Sequence, residues 1–102
     1  MKTATASRTR PEMGITSADF SRIFPRLFDP GQCVVELARD GARVSWPDGR
    51  RLAVKLSPER IRAIALLRIP YVDLAFEFRG FDAVAADEFM ARFDRAFHKG
   101  GG

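Results

Sequence analysis

The sequence predicts an α+β fold, a two-layer sandwich in which helices lie mostly on one face of a four-stranded, mainly antiparallel sheet. Three observations support this prediction. The chain has 102 residues, which is enough for one hydrophobic core. Two Asp-Gly turns divide residues 32–56 into three short strands. Three other segments carry apolar residues at helical spacing and one alternates strictly, which gives the order α-β-β-β-α-β-α.

The composition is that of a globular protein, with 46% hydrophobic and 29% charged residues. One Cys and one His exclude a disulfide framework within the chain and a Cys/His metal cluster. No apolar run approaches 18 residues, so no membrane-spanning segment is predicted. Arg outnumbers Lys by 14 to 3, which is typical of a bacterial GC-rich coding sequence. We therefore expect a soluble cytoplasmic protein without a cofactor, metal, small-molecule ligand or membrane attachment.

The two ends of the chain lack residues that could build a core. Residues 1–15 contain Thr, Ser, Arg and Pro with few apolar side chains, which predicts a disordered tail. Lys2, Arg8 and Arg10 against Glu12 give this tail half of the net charge of +4. Residues 100–102 are a glycine tail that we expect to be flexible. A single domain is therefore predicted over residues 16–99.

The first helix is predicted over residues 17–28. Thr16 and Asp19 have the spacing of a capping box, and Pro25 predicts a kink because its ring removes a backbone donor. One face of this helix is apolar and consists of Phe20, Ile23, Phe24, Leu27 and Phe28.

The three strands in residues 32–56 form a predicted meander. Asp40-Gly41 is expected to be the loop of the first hairpin, and Trp46–Arg50 a bulged turn with Gly49 at positive φ. Both turns place the apolar residues of the meander on one face. The expected cross-strand pairs are Val35–Trp46, Leu37–Val44, Val44–Leu52 and Ala42–Val54.

A helix, a strand and a helix complete the prediction. Ser57, Pro58 and Glu59 resemble a helix start, and Ile61, Ile64, Ala65 and Leu67 then predict a second helix over residues 58–68. Residues 71–79 alternate strictly and predict a strand with one wet face. Residues 82–98, opened by Asp82, predict the third helix.

Two helices suffice to cover a sheet of four strands, and the second and third helices flank its last strand. The first helix is then surplus, with three phenylalanines to bury. We expect this helix to lie on the sheet edge or against a second chain, because an exposed apolar patch of this size usually marks an interface.

The outer sheet face combines basic residues with small ones. This face suits contact with solvent or a protein, and its basic residues with one aromatic ring leave nucleic-acid binding as the alternative. The basic tail adds three cations that could contact phosphates weakly. The basic and aromatic members of the face are Arg43, Arg51, Lys55, Tyr71 and Arg79.

No sequence motif for catalysis or phosphate binding is present. Cys33 shares the inward parity of Val35, so a buried thiol is expected rather than a nucleophile. Asp73 and Glu77 are separated by about 13 Å along a strand, too far for an acid–base pair. His98 falls in the last helical turn, where a surface position is expected.

The function predicted from the sequence is that of a small non-catalytic protein-interaction module, with a homodimer as one form of it. Weak nucleic-acid binding through the Arg-rich sheet face and the basic N-terminal tail is the alternative. The candidate interaction residues are Phe20, Phe24 and Phe28 on the first helix, with Arg43, Arg51, Lys55, Tyr71 and Arg79 on the outer sheet face.

Overall fold

The computed structural model describes residues 4–98, over which the chain forms an α+β fold with a mainly antiparallel sheet and two α-helices. This fold class confirms the coarse prediction, whereas the number of strands and the order of the elements differ from it. The elements are β1 (Thr5–Met13), α1 (Ser17–Ile23), a 3₁₀ turn (Phe24–Leu27), β2 (Val34–Ala38), β3 (Gly41–Ser45), β4 (Arg51–Leu56), β5 (Arg60–Ile64), β6 (Leu67–Arg79) and α2 (Ala83–Ala96).

The strands follow the spatial order β1-β6-β4-β3-β2, and every neighbouring pair is antiparallel. β5 pairs with the first residues of β6, outside this path. The prediction of four strands was wrong because β1 and β5 were interpreted as a tail and a helix. β6 is the longest strand, and it joins all of these parts.

β1 occupies most of the segment that was predicted to be a disordered tail. It pairs with β6 from Thr5↔Arg79 to Met13↔Val72. Its inward-facing residues include Arg8 and Arg10, which bind carboxylates on α2, so the segment lacks the apolar alternation of a strand. Inward-pointing charges are one way in which proteins protect an edge strand from further pairing. Lys2, the first basic residue of the predicted tail, lies outside the described residues.

The meander forms, with one change of register. The second hairpin has the predicted pairs Val44↔Leu52 and Ala42↔Val54. In the first hairpin Val44 faces Val35 and not Leu37, because the loop is Arg39-Asp40. A shift of two residues keeps every side chain on its predicted face.

Gly41 explains this shift. It lies within β3, and a Cβ at this position would be 1.9 Å from the carbonyl oxygen of Val54. The glycine is therefore required for close approach of β4 and not for the turn. Gly49, by contrast, has a positive φ of 97° at the second turn, as predicted.

The helix ends agree with the sequence signals. Thr16 and Asp19 form the predicted capping box, with bonds of 3.0 Å in both directions. The α-helix ends one residue before Phe24 and continues as a 3₁₀ turn that contains Pro25, in agreement with the predicted kink. Asp82 caps α2 by accepting a bond from the Ala85 backbone. The predicted glycine tail, residues 100–102, lies outside the described residues.

Both α-helices and the 3₁₀ turn pack on one face of the sheet, in a single aromatic core. Phe20 is 1% exposed and Phe24 fully buried, and their rings stack at 4.7 Å. The prediction of a surplus first helix was therefore wrong. α1 and the 3₁₀ turn cover the part of the sheet that had been assigned to the second predicted helix.

No helix forms over residues 58–68, because the chain there builds the β5–β6 hairpin. Ser57 does not cap a helix, since its hydroxyl accepts a bond from the Asp73 backbone. Glu59 binds the first turn of α1 instead of its own segment. The predicted helix start at Ser57, Pro58 and Glu59 was therefore wrong, and only Glu59 contacts the start of a helix, that of α1.

Candidate functional site

The most exposed apolar surface of the described residues lies on a two-stranded hairpin that extends beyond the sheet. Residues 60–71 form this hairpin, which we call the arm. β1 ends at Met13, opposite Val72, and β4 ends at Leu56, opposite Leu74, so the arm continues without either neighbour. The molecule is 54 Å long and only 25 by 22 Å across, as expected for a projecting arm.

The arm exposes aliphatic side chains on both of its faces and at its tip. Leu66 in the loop is fully exposed. Ile64 and Leu67 share one face as a cross-strand pair, and Ile61 lies on the opposite face. Burying one such side chain completely contributes about 1.5–3 kcal/mol. The arm therefore holds apolar surface that the chain itself does not use.

The tip of the arm is held by an unusual turn. Its two loop residues are Ala65 and Leu66, and Ala65 has a φ of +54°. A positive φ costs a residue with a Cβ about 1–2 kcal/mol. A two-stranded ribbon without covering layers is also only marginally stable in water. The position of the arm must therefore be fixed at its base.

The base is fixed by a network centred on Asp73. One carboxylate oxygen of Asp73 accepts a bond from the backbone of Glu12 at 2.7 Å. The other oxygen accepts a bond from Arg60 at 2.5 Å. The Asp73 backbone exchanges bonds with Ser57, donating to its hydroxyl and accepting from its N–H at 2.9 Å each. β1 shifts its register against β6 between Arg10 and Met13, and on the other side of β6 the pairing changes from β4 to β5. The arm leaves the sheet at this level.

Two arginines of the arm are already paired at this base. The guanidinium groups of Arg60 and Arg62 lie 4.6 and 4.9 Å from the centre of the Tyr71 ring. Arg60 pairs with Asp73 and Arg62 with Glu12, whose hydrogen bond raises the pKa of Arg62. The charges at the base are therefore locally balanced rather than directed toward an external anion.

Glu59 connects the arm to the first helix. Its carboxylate accepts bonds from the Ser17 backbone at 2.9 Å and from the Ser17 hydroxyl at 2.8 Å. These bonds lower the pKa of Glu59, because they stabilise the ionised form. An acidic group beside the first turn of α1 also interacts favourably with the helix dipole.

The edge of the arm that β6 forms is not suited to pairing with another strand. The Gly80 N–H donates to the carbonyl of Ala4, so the even residues of β6 direct their backbone groups toward the β1 side. Pro70 is such a residue, and it lies beyond the end of β1. It has no N–H to donate at this edge, which disfavours strand addition. The arm therefore offers its two faces, its tip and the outer edge of β5, but not the edge of β6.

The structure brings together four of the predicted site residues on the uncovered sheet face. Arg51 on β4 and Arg79 on β6 are cross-strand partners, Lys55 lies further along β4, and Arg43 lies on the neighbouring β3. Tyr71 shares their parity but belongs to the arm, where it packs against two arginines. The predicted basic face is therefore divided into two parts.

The three phenylalanines of the candidate site are placed differently. Phe20 and Phe24 are buried in the core of their own chain, so neither offers surface to a partner. Phe28 is half-buried against Trp46, at a ring distance of 5.9 Å, and Phe89, at 5.7 Å. Their assignment to an interface was thus wrong for Phe20 and Phe24, because α1 packs within the domain.

The uncovered sheet face contains a shallow depression of about 640 Å³, which we call the trough. Its floor consists of small residues on four adjacent strands, and three carboxylates and two cations surround them. The floor is formed by Ala38, Gly41, Ala53 and Ala75, and the charged residues are Glu36, Asp40, Glu77, Arg43 and Lys55. This end of the outer face is therefore not basic.

Cys33 and His98 are two of the residues that were considered for catalysis from the sequence. Cys33 is buried, its sulfur lies 3.7 Å from the Asp29 carbonyl, and burial raises the pKa of its thiol. A raised pKa disfavours the thiolate that a nucleophile requires. His98 is exposed after the end of α2. Within residues 4–98 no three His, Cys, Asp or Glu side chains are grouped to hold a metal ion.

Comparison with known proteins gives no match. No protein-family model matches the chain, and no curated protein or solved structure does so either. Among residues 4–98 no helix is long and apolar enough to cross a membrane.

Proposed function

We propose that this protein is a non-catalytic protein-interaction module and that the arm is its binding element. The observation that carries the proposal is the exposed aliphatic surface of the arm, with Leu66 fully exposed at the tip and Leu67 63% exposed beside it. Chains that act alone rarely expose a contiguous apolar group of this kind.

The distribution of this surface indicates the shape of the partner. Ile64 and Leu67 lie on one face of the arm and Ile61 on the other, with Leu66 between them at the end. A flat partner would cover one face only. A partner with a concave apolar surface would cover the tip together with one or both faces, and protein surfaces provide such shapes.

Nucleic-acid binding receives less support from the same structure. Arg8 and Arg10 of the predicted basic tail are engaged by Asp87 and Asp94 of α2, at 2.8 Å each. The outer face also alternates basic and acidic side chains instead of presenting a continuous basic surface. What favours this alternative is the adjacent pair Arg51 and Arg79.

A photo-reactive amino acid at position 66 tests the proposal directly. We expect irradiation in cell extract to link the arm to a discrete protein that survives nuclease treatment. The matched control carries the same amino acid at position 84, because Val84 is an exposed aliphatic residue on α2 with 67% exposure. Capture of nucleic acid alone at position 66, or equal products at both positions, would contradict the proposal.

A further inference from the structure

We infer that the partner of the arm is a second copy of this chain, and that the arm of each copy occupies the trough of the other. This inference rests on the proposed function and names its partner. It combines two surfaces that the described chain leaves uncovered. One is the aliphatic surface of the arm, and the other is the sheet face on which no helix packs.

The spacing along β6 fits a two-fold arrangement. Leu67, near the tip, and Ala75, on the floor of the trough, are each four residues from Tyr71 and share its parity. Four residues of a strand span about 13 Å. If two sheets pack face to face around a two-fold axis at Tyr71, Leu67 of one copy lies above Ala75 of its partner. The same two-fold rotation places the arm of the second copy on the trough of the first, as an isologous contact requires.

The two surfaces are also complementary in shape. The arm face that continues the outer sheet face carries Ile64, Leu67 and Ile69, which are long aliphatic side chains. The floor of the trough carries Ala38, Ala53 and other small residues, all of them on that outer face. Long side chains on one sheet and short ones on the other allow close packing between two sheets.

The net charges of the arm and of the trough are opposite in sign but small. Arg60 and Arg62 of the arm are paired at its base, which leaves Arg68, on the face of Ile61, as the remaining cation of the arm. The trough has three carboxylates, Glu36, Asp40 and Glu77, against two cations. Near the proposed axis, Arg60 and Arg62 are balanced by Asp73 and Glu12, so two copies of this region can approach each other.

The backbone of β6 favours a face-to-face contact over pairing between the β6 edges of two arms. Pro70 removes a donor from this edge, so such pairing would leave a carbonyl group without a partner. Face-to-face packing of sheets needs no edge and places them about 10 Å apart. The reciprocal contact covers the Ile64 and Leu67 face of both arms and both troughs in one interface, and it leaves the Ile61 face uncovered.

Sedimentation equilibrium of the full chain over a hundredfold range of concentration tests this inference. We expect the wild type to form a dimer. Leu66→Asp at the tip and Ala53→Arg in the trough should each weaken self-association at least tenfold. Val84→Asp, the matched control on α2, should leave it unchanged. Ala38→Arg, on the exposed edge strand β2, is a second trough variant in case Ala53→Arg does not fold.

Mixing the two kinds of variant identifies the contact. A tip variant has an intact trough, and a trough variant has an intact arm, so the mixed pair retains one of the two contacts. We expect the mixture to associate more tightly than either variant alone. A wild type that is monomeric throughout, a dimer insensitive to Leu66→Asp, or a mixture without association would each overturn the inference.

The same set of experiments separates this inference from the proposed function. If the wild type is monomeric and position 66 links to a different protein, the second copy is wrong and the interaction module stands. If position 66 links to no protein at all, both proposals are wrong. If position 66 links to another molecule of this chain and the mixture associates, both are supported.

Discussion

The described chain outside the arm, which we call the body, uses apolar residues in the opposite way from the arm. In the body, Phe76 and Phe93 are fully buried and pack at 4.9 Å in an edge-to-face arrangement. In the arm, Leu66 and Leu67 are mostly exposed, and polar bonds around Asp73 hold the base. Burial of apolar surface therefore stabilises the body, whereas the apolar surface of the arm contributes little to folding.

This difference indicates which residues serve the fold and which serve contact with another molecule. A residue whose removal destabilises the chain belongs to the first group. A residue that is apolar, exposed and indifferent to folding belongs to the second group. The following predictions test whether the two regions separate in this way.

The largest effect is expected in the body. Phe93→Ala removes a buried ring that packs against Phe76 and Phe97, so we expect the free energy of unfolding to fall by about 3–5 kcal/mol. Leu66→Ala should change it by less than about 0.5 kcal/mol. Urea denaturation of both variants measures the difference, and similar losses would remove the distinction between body and arm.

A second large effect is expected at Gly41 of the meander. A Cβ there would contact the Val54 carbonyl oxygen, so Gly41→Ala must displace the backbone of β4 and should cost about 2–3 kcal/mol. Gly49→Ala is the control, because its Cβ would meet nothing within 4 Å and only its positive φ is strained. We expect a loss of about 1 kcal/mol for the control. Thermal unfolding that ranks the two variants in the reverse order would contradict this account of the hairpin.

A smaller effect is expected where β1 joins α2. Arg10 binds both carboxylate oxygens of Asp94, at 2.9 and 2.8 Å, and this hydrogen bonding raises the pKa of Arg10. A double-mutant cycle with Arg10→Ala and Asp94→Ala should give a coupling energy of about 0.5–1 kcal/mol, since both groups are partly solvated. A coupling near zero would mean that other contacts hold β1 in the sheet.

The smallest effect concerns the pH dependence of the tie between the arm and α1. The pKa of Glu59 is lowered in the folded chain, so its contribution is fully present above its unfolded value of about 4.3 and is lost as the pH falls through the lower folded value. Glu59→Gln should therefore reduce stability slightly at neutral pH and flatten its decline in acid. Denaturation at pH 7 and pH 3 checks this, and equal losses at both values would show that ionisation is irrelevant.

The body was largely predictable from sequence because each signal there is local. The Trp46–Arg50 turn, the Thr16–Asp19 capping box and the Asp82 cap all act within a few residues, and they form as expected. The first hairpin also forms, but its loop is Arg39-Asp40 and not the predicted Asp40-Gly41. The burial of Cys33, one residue before β2, agrees with the predicted inward parity in the same way.

The regions that were missed depend on contacts between distant residues. β1 lacks aliphatic alternation because its inward positions hold Arg8 and Arg10, whose partners on α2 are 79 and 84 residues away. The arm has apolar residues on both faces, so it shows no alternation, and Ile61 and Ile64 then fall at helical spacing by coincidence. A possible signal was its content of isoleucine, which is β-branched and favours strands.

The candidate site was predictable only in part. The alternation of side chains along each strand correctly predicted which basic residues share the outer face. These residues are Arg43, Arg51, Lys55 and Arg79. Phe20 and Phe24 were assigned to an interface because the number of helices was wrong by one. The exposed tip could not be recognised while residues 58–68 were interpreted as a helix.

The most direct test of the central claim is hydrogen exchange of the full chain at a low and a high protein concentration. We predict that the amides of the β6 core exchange slowly at both concentrations. The amides of residues 61–69 should exchange rapidly when the protein is dilute and become protected when it is concentrated. Arm amides that are as slow as the core in dilute protein, or that remain fast at every concentration, would contradict the proposal that the arm is covered by a second copy.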